Sequence, residues 1–529
     1  MTTDLSAPAK RSTTTAGRGN SPRPPFGVSA VSALAVLIAL FSLVPLGYVA
    51  YMTVATGWDT AVALIMRPRV GELLVNTLLL MAATIPLCLL LGVAGAWLVE
   101  RTKLRGHRVW AVLLAAPLAV PAFVNSYAWV SAVPSLGGLG SGILISTLSY
   151  FPLVYIPAAA TLSRLDPAIE QSAAALGLGA WRAFFRVVLP QLRIALTGGA
   201  LLVGLHLLAE YGAFAMIRFD TFTTAIMTQY RSTFNGAAGN MLASVLVFFC
   251  LLLLVAEVRS RGTARYARIG SGVQARALRL PLHAYQVPAQ LFLLALTALA
   301  FGLPLYYVLK WIVAGGADIW TASEFLPALL ATFWYGLVGA AATVVVAFPM
   351  AYLAVRKPGW FSKSLELSNY VTSSMPGIVV ALAFVTVSIR VMPGIYQTAG
   401  VLVAAYVLLF LPRALVNLRA GLAQAPKELD EAAQALGKPP LVAFIRVTLR
   451  LTAPAAAGGA ALVFLAIANE LTATLLLSPN GTKTLATEFW SKSSEIDYAG
   501  AAPYALLMIL LSAPMTYLLF QQSKKVAGQ

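Results

Sequence analysis

The chain has 529 residues, of which 59% are hydrophobic and only 11% charged, with a mean hydropathy of +0.81; an ordinary soluble protein carries about 25% charged residues. This excludes a water-soluble globule, and the long continuous apolar runs, unlike the short alternating segments of a barrel, leave membrane-spanning helices as the architecture. A formal net charge of +18 would suit a nucleic-acid binder, but the distribution of that charge excludes the need for one.

Residues 1–27 are rich in Ser, Thr, Pro, Gly and Arg, too polar to bury a core, and read as a disordered cytoplasmic tail. The first apolar run starts at Val28, is longer than a signal-peptide core and carries no convincing cleavage site, so it is expected to remain as the first helix. Apolar runs predict spans near 28–54, 72–99, 109–133, 139–162, 194–217 and 238–258, a basic cytoplasmic linker at 259–285, then spans near 286–309, 328–355, 368–389, 396–418, 452–476 and 499–521, and a short tail at 522–529. Cys88 and Cys250 both lie in apolar runs, which predicts neither a disulfide framework nor a zinc site.

With the N-terminus inside, 29 of the 37 Lys and Arg residues fall on the cytoplasmic side, in the tails and at 101–108, 164–193, 259–279, 356–363 and 413–450. The others, Arg67, Arg69, Arg218, Arg231, Lys310, Arg390, Lys483 and Lys492, lie outside or near outer helix ends. This is the positive-inside asymmetry: the charge orients the protein, with both termini cytoplasmic, and requires no nucleic acid.

The chain also repeats itself. Pro121 pairs with Pro376 and Arg101 with Arg356 at an offset of 255; Pro152 pairs with Pro412, Glu210 with Glu470 and Thr224 with Thr484 at 260. The jump places a net five-residue insertion between Pro376 and Pro412. An offset spanning six helices returns the chain to the same side, so the halves 28–258 and 286–521 read as parallel repeats, an all-α integral membrane protein of about twelve spans. Pro121 and Pro376 leave two readings open: broken helices whose freed backbone lines a cavity, or simple kinks.

The polar segment 170–190, EQSAAALGLGAWRAFFRVVLP, matches 430–450, DEAAQALGKPPLVAFIRVTLR, at 9 of 21 positions. In the first copy Asp166 and Pro167 suit a helix start, Glu170 its first turn, and Gly177–Gly179 its end. A second helix follows, with Trp181, Phe184, Phe185 and Val188 on one face, matched by Leu441, Phe444, Ile445 and Thr448 in the second copy; Arg182, Arg186 and Arg446 point elsewhere. A single such segment reads equally well as a helix resting on the membrane surface; two at matched cytoplasmic positions read as a paired device.

Glu170, Ala173, Gly177, Phe184 and Pro190 resemble the EAA loop of permeases of ATP-binding-cassette (ABC) importers. So do Asp430, Glu431, Ala433, Gly437 and Phe444, although Arg450 stands where the pattern has proline. The resemblance covers the chain from about residue 28 and is to the type I importer permease fold, in the fused two-half form of the ferric-iron permeases, with thiamine permeases sharing the layout. It implies two coupling loops, at about 163–193 and 419–451, each docking on one of two separate ATPase subunits that bind ATP and Mg²⁺. It also implies an extracytoplasmic substrate-binding protein and a bacterial inner (plasma) membrane location. Ferric iron is the cargo the resemblance favours, with thiamine, polyamine and phosphonate as alternatives. The chain itself has no G-x-x-x-x-G-K-[ST] phosphate loop; NGTKT at 480–484 lacks the upstream glycine. It is therefore expected to bind no cofactor, to hold no catalytic or metal site, and to be no enzyme alone.

Ionisable groups within spans are costly and mark function by default. Glu210 and Glu470 occupy equivalent places in the fifth span of each half, with His206 one turn before Glu210. They read either as a cation-attracting patch on the translocation path or as polar glue between helices. Asn125, Tyr127 and Asn469 are polar enough to line a path. A proton-coupled secondary transporter working through Glu210 or Glu470 is the rival class, but it leaves the paired polar segments without a task.

Overall fold

The computed structural model describes residues 28–163, 165, 172–173, 175–233, 235–261, 279–320 and 322–528. The expected tail 1–27, most of the linker and the start of the first polar segment, including Glu170, lie outside these. Among the described residues the chain is helical, with one isolated backbone bridge between Thr102 and Leu280. That bridge, with Lys103 N–H donating to the Leu280 carbonyl at 2.8 Å, ties the end of the linker to the loop after the second span.

Among the described residues eight helices are long and apolar enough to cross a membrane, and up to twelve do so if each sharply bent pair is one span. The straight ones are Pro68–Arg101, Gly138–Leu162, Gly236–Ala256, His283–Gly315, Glu324–Arg356, Ala399–Ala423, Pro440–Ala468 and Tyr498–Leu518. The bent pairs are Ala30–Ser42 with Val44–Ala55, His107–Ala119 with Ala122–Ala132, Phe184–Gln191 with Arg193–Ala209, and Trp360–Thr372 with Gly377–Arg390. Counted this way, all twelve fall on the spans expected from hydropathy.

The third span of each half is broken, by 93° in the first half and 97° in the second. Pro121 and Pro376 sit at the breaks with extended backbone, each opening the helix that follows. Proline has no N–H to give the preceding turn and pushes the residue before it out of the helical region, so two right-angle breaks replace what could have been kinks.

The first span of each half packs on the opposite half. Val28–Ser42 and Val44–Ala55 lie against Ala322–Arg356, Trp360–Ser373 and Gly377–Arg390, while Leu303–Gly315 lies against Ala122–Ala132. Lipid is as apolar as leucine, so close packing and polar contacts hold such helices together. Here the Ser42 hydroxyl donates to Asn369 Oδ1 at 2.8 Å, the Tyr48 and Thr386 hydroxyls share a hydrogen bond of 2.9 Å, Thr372 donates to the Ser42 carbonyl, and Trp311 Nε1 donates to Ser131. The two halves are thereby strapped together in both directions.

Two expectations are corrected. The fifth spans end at Ala209 and Ala468, not at 217 and 476, because the chain leaves the helix at Glu210 and Glu470. The pairing of Thr224 with Thr484 is three residues out. Thr221 and Thr484 are the residues that open equivalent short helices, Phe222–Arg231 and Leu485–Ser494, each through a threonine capping box with the threonine three residues on. The second half is longer between Leu477 and Thr484, where NGTKT makes a turn with Gly481 at φ +80° and then the cap.

Candidate functional site

In the second polar segment a helix runs from Lys427 to Ala435 and stops at Leu436. Gly437 follows at φ +83°, and Lys438 N–H closes the end onto the Ala433 carbonyl at 3.1 Å. A left-handed residue here favours glycine, since a Cβ would press on the backbone. The first copy has the same end: Gly177 is at φ +83° and Leu178 N–H donates to Ala173 at 3.0 Å. Ala173 is buried and Ala433 half-buried.

The helices that follow contain a π-turn in both copies, Phe184–Val188 and Phe444–Leu449. Its i→i+5 hydrogen bonds shift the register that an α-helical reading assumes. As a result Val188, Phe444 and Thr448 turn inward, whereas Phe185, Leu441 and Ile445, expected on the same face, are exposed. Arg182, Arg186 and Arg446 are exposed as expected. Phe184 stacks edge-on against Trp97, and Phe444 against Phe348 and Tyr352. Each segment therefore rests on the C-terminal end of its own half's second span. Pro190 and Arg450 do turn differently: after Pro190 the helix bends by 63°, whereas through Arg450 it runs unbroken from Pro440 to Ala468.

Asp430 is an anchor within the second half. Its Oδ2 accepts from Thr448 Oγ1 at 2.5 Å and from Arg356 Nη2 at 3.4 Å, and that guanidinium also reaches Thr448 Oγ1 at 3.3 Å. Arg356 and Asp430 are 10% and 16% exposed. Arg356 ends the span Glu324–Arg356, so this network fastens the short helix to that span. Glu431 instead pairs along its own helix with Lys427 at 3.1 Å.

Beside their exposed charged residues, both segments present a leucine outward. Leu176 is 84% exposed and Leu436 is 83% exposed. The two leucines occupy matching positions immediately before the left-handed glycines. Sequence reasoning passed over both, since each continues an apolar pattern.

Deeper in the bundle, the breaks at Glu210 and Glu470 come together. A Cβ on Gly212 would lie 2.9 Å from Leu471 Cδ2, so the two turns abut across the boundary between the halves. Each glutamate caps the short helix after its break: Glu210 Oε1 accepts from Ala213 N–H at 2.9 Å, and Glu470 Oε1 from Ala473 N–H at 3.0 Å. Glu210 Oε2 accepts in addition from the Tyr150 hydroxyl at 2.6 Å, and the Tyr150 ring packs against His206 with centroids 5.4 Å apart. His206 Nδ1 lies 2.8 Å from the Leu202 carbonyl. Glu210, Glu470 and His206 thus gather in one region, where Glu470 feels the charge of both Glu210 and Arg413.

Arg413 is a residue that the charge census placed in the cytoplasm. It lies well inside the helix Ala399–Ala423, exposed between buried neighbours, with its guanidinium 5.2 Å from the centre of the Phe410 ring. It interacts electrostatically with Glu470 of its own half and His206 of the other.

The remaining polar candidates each donate one hydrogen bond within the bundle, while the buried Oδ1 atoms of Asn125 and Asn469 have no partner among the described residues. Buried Asn125 donates to Ser149 at 2.7 Å, Tyr127 to the Tyr498 carbonyl at 2.5 Å, and Asn469 to Ser512 at 2.7 Å. Among the described residues no group of three or more His, Cys, Asp or Glu side chains is placed to hold a metal ion. Cys88 and Cys250 are both free and buried.

Residues 343–527 match the family model of the binding-protein-dependent transport system inner membrane component. The Fe(3+)-transport system permease protein FbpB 2 of Haemophilus influenzae is 36% identical over 500 residues, 94% of this chain and 98% of that protein. The ferric transport system permease protein FbpB of Actinobacillus pleuropneumoniae is 22% identical, covering 74% of this chain and 60% of its own length. The sulfate transport system permease protein CysT of Escherichia coli is 27% identical over 44% of this chain but 90% of its own length, so a permease about half as long aligns almost whole. With multiple apolar spans and this degree of identity from end to end, the chain belongs to the binding-protein-dependent permeases, the multi-pass inner-membrane subunits of ABC importers.

Proposed function

We propose that this permease forms the translocation path of an ATP-driven importer of ferric iron. The observation that carries the cargo is the 36% identity, along 94% of the chain, to a permease named for Fe(3+) transport. Two ATPase subunits, which bind ATP and Mg²⁺, dock on the segments at 163–193 and 419–451; a substrate-binding protein delivers iron on the outer side; both termini are cytoplasmic. The chain contributes no nucleotide chemistry of its own and binds no cofactor.

The coupling residues act in two ways. Leu176 and Leu436 with the flanking glycines make the docking surface, while Ala173, Ala433, Phe184, Phe444 and the Arg356–Asp430–Thr448 network hold each segment on its bundle; Glu170 occupies the place of Asp430 in the first copy. When the ATPases close on ATP they draw the two segments together, and a short helix fixed rigidly to a span transmits that movement to the bundle. The unbroken helix Pro440–Ala468 runs from the second segment directly to the Glu470 turn, giving a stiff lever of 29 residues between docking surface and path.

The path passes the meeting of the two broken fifth spans, where Glu210, Glu470 and His206 attract cationic cargo. Glutamine at Glu210 and Glu470 keeps an oxygen to accept the Ala213 and Ala473 N–H groups and removes the charge, with the Tyr150 hydroxyl turning to accept from the new amide at position 210. The double variant Glu210→Gln, Glu470→Gln, assembled with its ATPase and binding protein in proteoliposomes, is expected to take up ferric iron about tenfold more slowly, the loss expected when intramembrane charges serve transport. Wild-type uptake by this variant would show that the carboxylates are polar glue.

A further inference from the structure

We infer that Arg218 is a docking anchor for the substrate-binding protein, a guanidinium in a socket that takes a carboxylate side chain from that protein. The inference rests on the proposed importer, in which the binding protein delivers cargo on the outer side. It begins with an anomaly of backbone. The short helix Gly212–Met216 ends in a turn where Arg218 N–H donates to the Ala215 carbonyl at 3.2 Å and Phe219 N–H to the Phe214 carbonyl at 2.9 Å. The turn holds a left-handed residue, and Arg218 supplies it at φ +52°. The second half has Gly481 at φ +80° in the same place, at the offset of 263 that also relates the two capping threonines, Thr221 and Thr484. Glycine adopts such a backbone without strain. An arginine standing there against that preference is kept for its side chain, and strain of this kind gathers at functional sites.

The surroundings suit a charged partner. The fifth span carries the chain from the first polar segment to the break at Glu210, so Arg218 lies at the end away from the proposed ATPase-docking surface. A cavity of about 190 Å³ opens there, with Tyr211, Arg218, Phe219, Asp220 and Thr228 in its wall. Arg218 is exposed, whereas Ile217 and Phe219 on either side are buried, so the guanidinium stands on an anchored stretch of chain. Asp220 in the same wall is already engaged. Its carboxylate accepts from Arg69 at 2.5 Å, and Asn76 Nδ2 donates to its carbonyl at 3.1 Å. Among the described residues no hydrogen bond, ion pair or aromatic ring engages the Arg218 guanidinium.

A guanidinium presents a planar fork that matches a carboxylate through two parallel hydrogen bonds, and arginine seated in a pocket is a frequent anchor of protein interfaces. The position selects the protein that supplies the acid. Tyr211, in the socket wall, directly follows Glu210, so the socket borders the proposed path at the place where cargo is handed over. The second half has no counterpart: Gly481 lacks a side chain, and Lys483, two residues on, pairs with Glu488 at 3.5 Å. One anchor on a two-half permease also sets the direction in which the binding protein sits.

The test is the affinity of the binding protein, empty and ferric-loaded, for the permease–ATPase complex in nanodiscs, together with the melting temperature of the complex. Arg218→Gly installs the residue that the second half uses, so the fold is expected to melt no lower than wild type. Its affinity for the binding protein is expected to fall about tenfold or more, equally for the empty and loaded forms, with a weaker dependence on salt. Arg218→Lys keeps the charge but loses the fork and is expected to fall between the two. Unchanged affinity and salt dependence in Arg218→Gly would overturn the anchor. Weakening confined to the ferric-loaded form, and varying with the chelating anion supplied with the iron, would assign the socket to that anion and overturn the protein carboxylate. Weakening accompanied by a fall in melting temperature would make Arg218 a support of the turn. A wild-type complex that fails to bind the ferric-loaded protein would overturn the importer reading itself, an outcome distinct from any result with the Arg218 variants.

Discussion

Replacing Leu176 and Leu436 together by glutamate is expected to release the ATPase subunits and abolish ATP-driven uptake. Each leucine is more than four-fifths exposed and sits where its helix turns at a left-handed glycine, a fixed point of the backbone rather than a mobile loop. Covering a leucine side chain is worth about 1.5–3 kcal/mol, and a glutamate buried in the same apolar pocket costs more because its charge loses water. Two such losses weaken docking by about three orders of magnitude or more. The check is co-purification of the ATPase with a tagged permease, alongside thermal stability of the permease in detergent. Stability should stay at the wild-type value, since neither leucine supports the fold. Undiminished co-purification would place the docking surface elsewhere.

The second large effect is uncoupling. In Arg356→Ala the ATPase is expected to remain bound and to keep hydrolysing ATP, but hydrolysis should lose its dependence on loaded binding protein and uptake should collapse. The substitution leaves Asp430 with only the Thr448 hydroxyl, in a site where its carboxylate is 16% exposed. Breaking a fully buried pair costs about 3–5 kcal/mol; residual solvent lowers this to about 2 kcal/mol, enough to detach the short helix from its span. Arg356→Lys keeps the charge but cannot reach Asp430 and Thr448 in one planar fork, so an intermediate defect is expected. The measurement is the ratio of ATPase rates with and without iron-loaded binding protein. A wild-type ratio in Arg356→Ala would show that the Asp430 network carries no coupling.

Up to twelve spans and the glycine-terminated polar segments were legible in the sequence, because each rests on a strong local cause, apolar length or a left-handed backbone; Pro121 and Pro376 marked the third spans without deciding between a break and a kink. The fifth spans were misjudged because the residues after Glu210, YGAFAMI, and after Glu470, LTATLLL, stay apolar although the helix has ended. Hydropathy registers the depth of a residue in the membrane and is blind to a turn made there. The π-turns left no trace either: Phe184 and Phe185, like Phe444 and Ile445, satisfy α-helical spacing, and only the packing against Trp97, Phe348 and Tyr352 reveals the shifted register. Arg413 stands near the end of an apolar run and so reads as a cytoplasmic flank; its place inside the bundle depends on where Glu470 and His206 lie. The strapping of each first span onto the opposite half is likewise a matter of partner choice, set by contacts such as Ser42 with Asn369 rather than by any pattern within one helix.

The central claim is that this chain moves ferric iron only as the membrane half of an ATP-driven machine. It is tested most directly by reconstituting the purified permease in proteoliposomes, alone and with its ATPase and ferric-loaded binding protein, and following radiolabelled iron uptake with and without ATP. Uptake is expected from the complete complex with ATP, none without ATP, and neither uptake nor ATP hydrolysis from the permease alone. Iron uptake by the permease alone, driven by a proton gradient and indifferent to ATP, would contradict it.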